Sequence, residues 1–154
     1  MSRKRPGPSL REMELTAEVA RCIQSGDLAA AGDAFTQLAY VGEASHRAIV
    51  PDNYLRAGRA YMLAGNHKDG MARFQAGVEF IYNIIGDAPL LEYGKQIIQV
   101  LRRDGFEEQA REVAGWLERA LESRGLAGNL MAQPVPPLDP GADEWGLRGA
   151  EDRP

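Results

Sequence analysis

The sequence predicts an all-α fold of about three antiparallel helical hairpins, or six helices, between two disordered tails. Apolar residues recur at spacings of three and four along residues 9–124, and no run alternates as a half-buried strand would. Glycine turns at Gly26, Gly65 and Gly105 are 39 and 40 residues apart, a regularity typical of repeated hairpins. A chain of 154 residues is enough for one domain.

The first hairpin is predicted to begin at Ser9, which has the spacing of a capping box with Glu12. Its first helix extends to about Ser25 and carries two apolar stripes, so we expect burial on two sides. The stripes are Met13, Ala17, Ala20 and Ile23, and Leu15, Val19 and Cys22. Asp27 is expected to cap the second helix, which ends between residues 42 and 45.

The central hairpin, residues 51–86, has the clearest pattern. Gly65 supplies the left-handed residue that ends its first helix, and Asn66 is expected to cap its second. Gly58, Gly70 and Gly77 lie on its apolar faces, although glycine costs a helix about 1 kcal/mol relative to alanine. We therefore expect the two helix backbones to approach closely at these positions.

The third hairpin covers residues 87–124. Asp87 is expected to cap its first helix, with Pro89 in the first turn, where proline is tolerated. After the turn at Gly105, the sixth helix begins with acidic residues and ends with basic ones, as the helix dipole favours. Trp116, on this helix, is expected to pack in the core rather than to contact a ligand.

The central hairpin resembles a tetratricopeptide (TPR) repeat. The family's pattern of large and small residues is matched at Tyr54, Gly58, Tyr61, Gly65, Gly70, Phe74 and Gly77. The outer copies match at fewer places, such as Ala31 and Phe35, and Ala110 and Ala114. The resemblance implies a short right-handed α-solenoid. Because the turns of this chain are further apart than the family's period of about 34 residues, its second helices are expected to be longer than those of the family.

The resemblance also implies a binding groove along the first helix of each hairpin. Its positions carry over to six residues of this chain: Leu55, Arg59, Met62, Lys95, Gln99 and Arg102. They would form a basic, polar strip beside an apolar floor, suited to an acidic peptide or a chain-terminal carboxylate. The alternative is that they are solubilising residues on an exposed helix face.

The tails differ in composition from the helical part. Residues 1–8 hold the basic cluster Arg3-Lys4-Arg5, and residues 125–154 form an acidic tail with five of the nine prolines. Such segments bury too little apolar surface to order themselves. The acidic tail could also occupy the chain's own basic groove, which would make the domain autoinhibited.

The residues predict no catalytic constellation, metal site or cofactor. His46 and His67 are far apart without clustered carboxylates, and the single Cys22 lies in an apolar stripe as a packed thiol. No apolar run approaches the ~20 residues of a membrane span. The net charge of −4 argues against nucleic acid as the main partner.

We therefore expect a non-enzymatic, cytoplasmic adapter or small chaperone that binds a protein or peptide. A helical regulatory or nucleic-acid-associated protein that acts through its charged tails is the alternative. Self-association through the last helix, giving a homo-oligomer, is left open.

Overall fold

The computed structural model describes residues 9–122 and Met131, and these are all-α, as predicted. Residues 9–122 form six helices and contain no strand: α1 (Leu10–Ser25), α2 (Leu28–Ser45), α3 (Val50–Leu63), α4 (His67–Phe80), α5 (Asp87–Arg103) and α6 (Glu107–Glu122). A 3-10 turn, Arg47–Ile49, leads into α3, and a π-helical turn, Ile81–Ile85, extends α4. Both predicted tails, with the autoinhibition and tail-binding hypotheses, lie outside the described residues apart from Met131. None of the helices in residues 9–122 is long and apolar enough to cross a bilayer.

The predicted helix boundaries are largely confirmed by hydrogen bonds at their ends. The Ser9 hydroxyl accepts the backbone N–H of Glu12 at 3.1 Å, and the Asp27 carboxylate accepts that of Ala30 at 3.1 Å. Three turn glycines adopt the predicted left-handed conformation, with φ of 79°, 87° and 90° at Gly26, Gly65 and Gly105. The chain therefore turns where the sequence predicts it to turn.

Two predicted caps are wrong. The side chain of Asn66 makes no capping hydrogen bond, and its backbone N–H instead closes α3 on the carbonyl oxygen of Tyr61 at 2.8 Å. Helix α5 begins at Asp87 itself, so Gly86 is the residue before it. Gly86 has a φ of 142°, a conformation that side chains rarely allow, and this moves the helix start by one residue.

The six helices pair as antiparallel hairpins, α1 with α2, α3 with α4 and α5 with α6, and each hairpin contacts the next. Helix α3 belongs to two buried clusters. Ala57, Ala60 and Leu63 pack with α1 and α2, whereas Val50 and Tyr54 pack with the helices that follow. Helix α3 therefore forms part of both buried clusters. A right-handed solenoid path stays a prediction.

Glycines on the helix faces leave space for large side chains of neighbouring helices. A Cβ on Gly58 would lie 2.5 Å from the Phe74 ring, and one on Gly70 would lie 2.9 Å from the carbonyl oxygen of Gly58. A Cβ on Gly77 would collide with Tyr93, whose hydroxyl donates to the carbonyl oxygen of Pro51 at 2.7 Å. The expected close approach of α3 and α4 is confirmed at Gly58 and Gly70, whereas Gly77 makes room for Tyr93 of α5.

The predicted burial of α1 on two sides is wrong. Leu15, Val19 and Ile23 are buried against α2, but Met13 and the small residues of its stripe are exposed. The reason is the position of α1, which packs on α2 and has no helix of residues 9–122 covering its other side. One apolar stripe of α1 is consequently left on the surface.

Candidate functional site: a groove between α4 and α6

Arg59, predicted to line a groove, is engaged within the protein. Its Nε donates to Oδ2 of Asp104 at 2.9 Å and its Nη2 donates to Oδ1 at 3.2 Å. The Asp104 side chain is only 2% exposed and that of Arg59 13%. The guanidinium therefore joins α3 to the turn that follows α5, in a bidentate ion pair with little access to solvent.

Arg102 is also held by neighbours. Its Nε donates to Oε2 of Glu107 at 3.2 Å, across the α5–α6 turn, and its Nη1 donates to the carbonyl oxygen of Met131 at 3.3 Å. Lys95 lies 3.6 Å from the Glu92 carboxylate and Gln99 is half-buried. Lys95, Gln99 and Arg102 of the predicted strip all lie on α5, and Arg102 makes contacts within the chain.

Of the two residues predicted to form the apolar floor of this strip, one is buried and the other is partly exposed. Met62 is 1% exposed and packs beneath Gly70 in the core, so it cannot meet a ligand in this structure. Leu55 is half-buried and rests against the same core cluster. Of the six predicted site residues, Lys95 and Gln99 are therefore the best placed for an external partner.

A different surface, formed by α4 and α6, is concave. Two adjoining cavities of about 460 and 300 Å³ are lined by α4 and its π-helical extension on one side and by α6 on the other. The cavities meet at Gln75 and Trp116, which line both. We call this surface, from His67 to Tyr82 on α4 and from Gln109 to Ala120 on α6, the α4–α6 groove.

The α4–α6 groove is apolar along its floor and charged along its edges. Its apolar lining comprises Met71, Ala72, Val78, Tyr82, Trp116 and Ala120. At one end Lys68 lies with Glu112, and at the other Glu79 lies with Arg119, so neither sign of charge dominates. From His67 to Tyr82, along α4 and the start of its π-helical extension, fifteen steps of about 1.5 Å give the groove a length of about 22 Å, or four helical turns.

Sequence reasoning missed this groove although a signal was present. Met71, Gln75, Val78 and Tyr82 follow one another at spacings of four, three and four, a second stripe beside the one that contains Phe74. Trp116, expected in the core, is half-buried between the two cavities and packs on the core with part of its ring system. His67 is oriented by edge-to-face packing on Phe106, with centroids 5.2 Å apart.

Sequence reasoning also missed a buried carboxylate. Glu12 is 4% exposed and lies 3.2 Å from Nδ1 of His46, while the hydroxyls of Ser9 and Ser45 donate to it. Burial raises the pKa of Glu12, but the hydrogen bonds with His46 and Ser9 outweigh burial and hold this pKa below its usual value. This cluster joins the start of α1 to the end of α2.

The thiol of Cys22 is partly buried in α1, beside the first core cluster. Burial raises its pKa, and the nearby carboxylates of Glu18 and Asp27 raise it further. A raised pKa keeps the sulfur as a thiol near neutral pH, which disfavours nucleophilic chemistry. The packing expected from the sequence agrees with this position.

These features define the class: an all-α protein of three packed antiparallel hairpins with an apolar-floored groove between two second helices. Comparison with family models, curated proteins and solved structures finds no match for this chain. The likeness to a TPR repeat therefore stays a prediction that rests on the residues of the central hairpin.

Proposed function

We propose that this chain is a non-enzymatic interaction protein, an adapter or small chaperone, that binds a helix of a partner protein in the α4–α6 groove. The observation that carries the proposal is the groove itself, about 22 Å long with an apolar floor. An amphipathic helix of about four turns would fill this length and cover the floor with its apolar face.

Trp116 is the expected centre of the binding energy. Its ring is half-buried where the two cavities meet, so a bound helix would remove its exposed part from water. Tryptophan and tyrosine side chains in the middle of an interface contribute more affinity than most other residues. Tyr82, at one end of the groove, would add a second aromatic contact.

The charged edges favour a partner with both signs of charge. Lys68 and Glu112 lie at one end of the groove, and Glu79 and Arg119 at the other. A partner helix with only acidic residues would meet two carboxylates here. The acidic peptide expected from the sequence would instead suit the positively charged strip on α5 that contains Lys95 and Gln99.

Blocking the groove without disturbing the core tests this proposal. Ala72 lines the groove and is exposed, so Ala72→Arg places a long charged side chain over the floor. A partner is captured from cytosol with the wild-type chain, identified by mass spectrometry and produced pure for titration calorimetry. Ala72→Arg should weaken its binding about 10-fold or more, since the apolar floor can then no longer be covered.

Two control variants distinguish binding in the groove from binding elsewhere on the protein. Ala44→Arg makes the same change at an exposed position of α2, away from the groove, and should leave the affinity unaltered. Lys95→Glu replaces the lysine of the strip on α5 with an acidic residue and so removes the strip's net positive charge. A partner whose binding is lost with Lys95→Glu but kept with Ala72→Arg would overturn the groove proposal in favour of the strip.

A further inference from the structure

Met131 marks the place where the last part of the chain leaves the helices. Its carbonyl oxygen accepts a hydrogen bond from Nη1 of Arg102 at 3.3 Å, and the residue packs against the second buried cluster. Arg102 lies in the last turn of α5. We call residues 132–154 the terminal segment. Because Met131 is held by Arg102, the terminal segment starts at the C-terminal end of α5.

The strip on α5 starts at the same end of that helix. Its residues Lys95, Gln99 and Arg102 are spaced by four and three positions, so they share one face of α5. All three are half-buried. Seven steps of about 1.5 Å separate Arg102 from Lys95, which makes the strip about 10 Å long. The terminal segment is therefore tethered at one end of the strip.

The terminal segment and the strip have opposite charges. The segment contains two arginines and five acidic residues: Asp139, Asp143, Glu144, Glu151 and Asp152. The strip contains Lys95 and Arg102 and is followed by Arg103. Two carboxylates already lie beside it, that of Glu92 at 3.6 Å from Lys95 and that of Glu107 at 3.2 Å from Arg102. Their side chains are 73% and 46% exposed, and ion pairs this exposed contribute little, so carboxylates of the segment can join or replace them.

The terminal segment is long enough to cover the strip. Asp139 follows Met131 by eight residues, which span up to about 28 Å when extended. This reach exceeds the strip's length of about 10 Å, and Asp143 and Glu144 follow a few residues later. A tether of this length gives a local concentration in the millimolar range. Contacts too weak to hold a separate peptide can therefore hold the segment.

We propose that the terminal segment occupies the strip on α5, with its carboxylates paired to Lys95 and Arg102. An acidic peptide from another molecule would then have to displace the segment. The strip belongs to α5, whereas the α4–α6 groove is lined by α4, its π-helical extension and α6. The proposal is therefore independent of the function proposed for the groove, and a partner bound there is not expected to compete with the segment.

Binding of a labelled copy of the segment to the full chain tests the proposal. The probe is a fluorescein-labelled peptide with the sequence of residues 132–154, and fluorescence anisotropy measures its affinity. A neutralised chain carries Asp139→Asn, Asp143→Asn and Glu144→Gln. This chain should bind the probe about 10-fold more tightly than the wild-type chain, because its own segment no longer competes at millimolar local concentration. Equal affinities, or no binding to the neutralised chain, would overturn the proposal.

Charge variants of the neutralised chain locate the bound probe. Lys95→Glu should weaken probe binding about 10-fold, because the strip then loses its net positive charge. Arg21→Glu, an exposed control on α1, should leave the affinity unaltered. Binding that survives Lys95→Glu contradicts the proposal, and its loss with Ala72→Arg would place the segment in the α4–α6 groove instead.

Amide NMR signals of the intact chain give a second readout, without a probe. Between the wild-type and neutralised chains, the signals of Gln99 and Arg102 should shift, and that of Ala44, exposed on α2, should not. Circular dichroism verifies that the two chains are equally helical. Unchanged signals along α5 would mean that the terminal segment does not lie on the strip.

Discussion

Arg59 is predicted from the sequence to bind a ligand, but in the structure its ion pair with Asp104 joins two parts of the fold. Both side chains are largely removed from solvent and joined by two hydrogen bonds. Position on a helix face could be predicted from the sequence, because the helical period determines it. The partner of Arg59, Asp104, lies 45 residues further along the chain and could not be predicted, since the pairing depends on where the α5–α6 turn lies relative to α3.

Arg59→Ala should lower the free energy of unfolding by about 2 kcal/mol, because a buried carboxylate loses two charge-assisted hydrogen bonds. Arg59→Lys should lower it less, since lysine keeps the charge without the forked geometry. Urea denaturation followed by circular dichroism measures both. Wild-type stability in Arg59→Ala, together with weakened partner binding, would return Arg59 to the role predicted from the sequence.

The Glu12 cluster makes stability depend on pH. The pKa of Glu12 lies below its usual 4.5 in the folded chain, held there by hydrogen bonds with His46 and Ser9 that outweigh burial. The ionised carboxylate therefore stabilises the fold above pH 4.5, and this contribution is lost as the pH falls through the folded-state pKa.

Glu12→Gln should remove this contribution. The variant should be less stable than the wild-type chain at neutral pH, and the difference should shrink as the solution is acidified below about pH 4. Urea midpoints measured across this range give the comparison. A difference that stays constant with pH would mean that Glu12 acts through packing rather than through its charge.

At the scale of elements, close helix contacts depend on individual glycines. The glycines on apolar helix faces could be predicted as contact points, because glycine destabilises a helix and its presence there needs a packing explanation. The side chain that fills the space beside each glycine could not be predicted. Met62 occupies the space beside Gly70, which is why it lies in the core rather than in a groove. Helical spacing tells which residues share a face, but not which face meets a given neighbour.

Two glycine-to-alanine variants should differ in sign. Gly58→Ala places a Cβ 2.5 Å from the Phe74 ring, so it should destabilise the chain by about 1–3 kcal/mol despite alanine's better helix propensity. Gly115→Ala on α6 meets only the end of Arg119 at 3.4 Å and should stabilise by up to about 1 kcal/mol. Thermal unfolding compares them, and equal effects would contradict the packing described here.

At the scale of the molecule, the order of the helices was predictable and the position of the groove was not. Turn glycines and the caps at Ser9 and Asp27 indicate the order of the helices from local sequence, although the caps predicted at Asn66 and Asp87 are wrong. The α4–α6 groove arises between helices that are not consecutive, so it depends on how the second and third hairpins pack. The exposed side of α1 has the same origin, because only the packed hairpins show that no other helix of residues 9–122 covers it.

Because α3 contributes to both buried clusters, the described domain should unfold as one unit. Leu15→Ala, in the first cluster, should cost about 2–5 kcal/mol. In a Trp145→Phe background, the fluorescence of Trp116 reports on the second cluster. Its transition should shift together with the circular dichroism signal; a Trp116 transition that stays in place would show two independent units.

The shared helix also orders events during synthesis. While the ribosome is still making the central hairpin, α1 and α2 lack the wall that Ala57, Ala60 and Leu63 later supply. The nascent first hairpin consequently exposes Leu28, Phe35 and their neighbours until α3 has left the exit tunnel. A chain stalled before α3 should be sensitive to protease, and one stalled after α4 should be protected. The first hairpin therefore becomes stably folded only once α3 is available to pack on it.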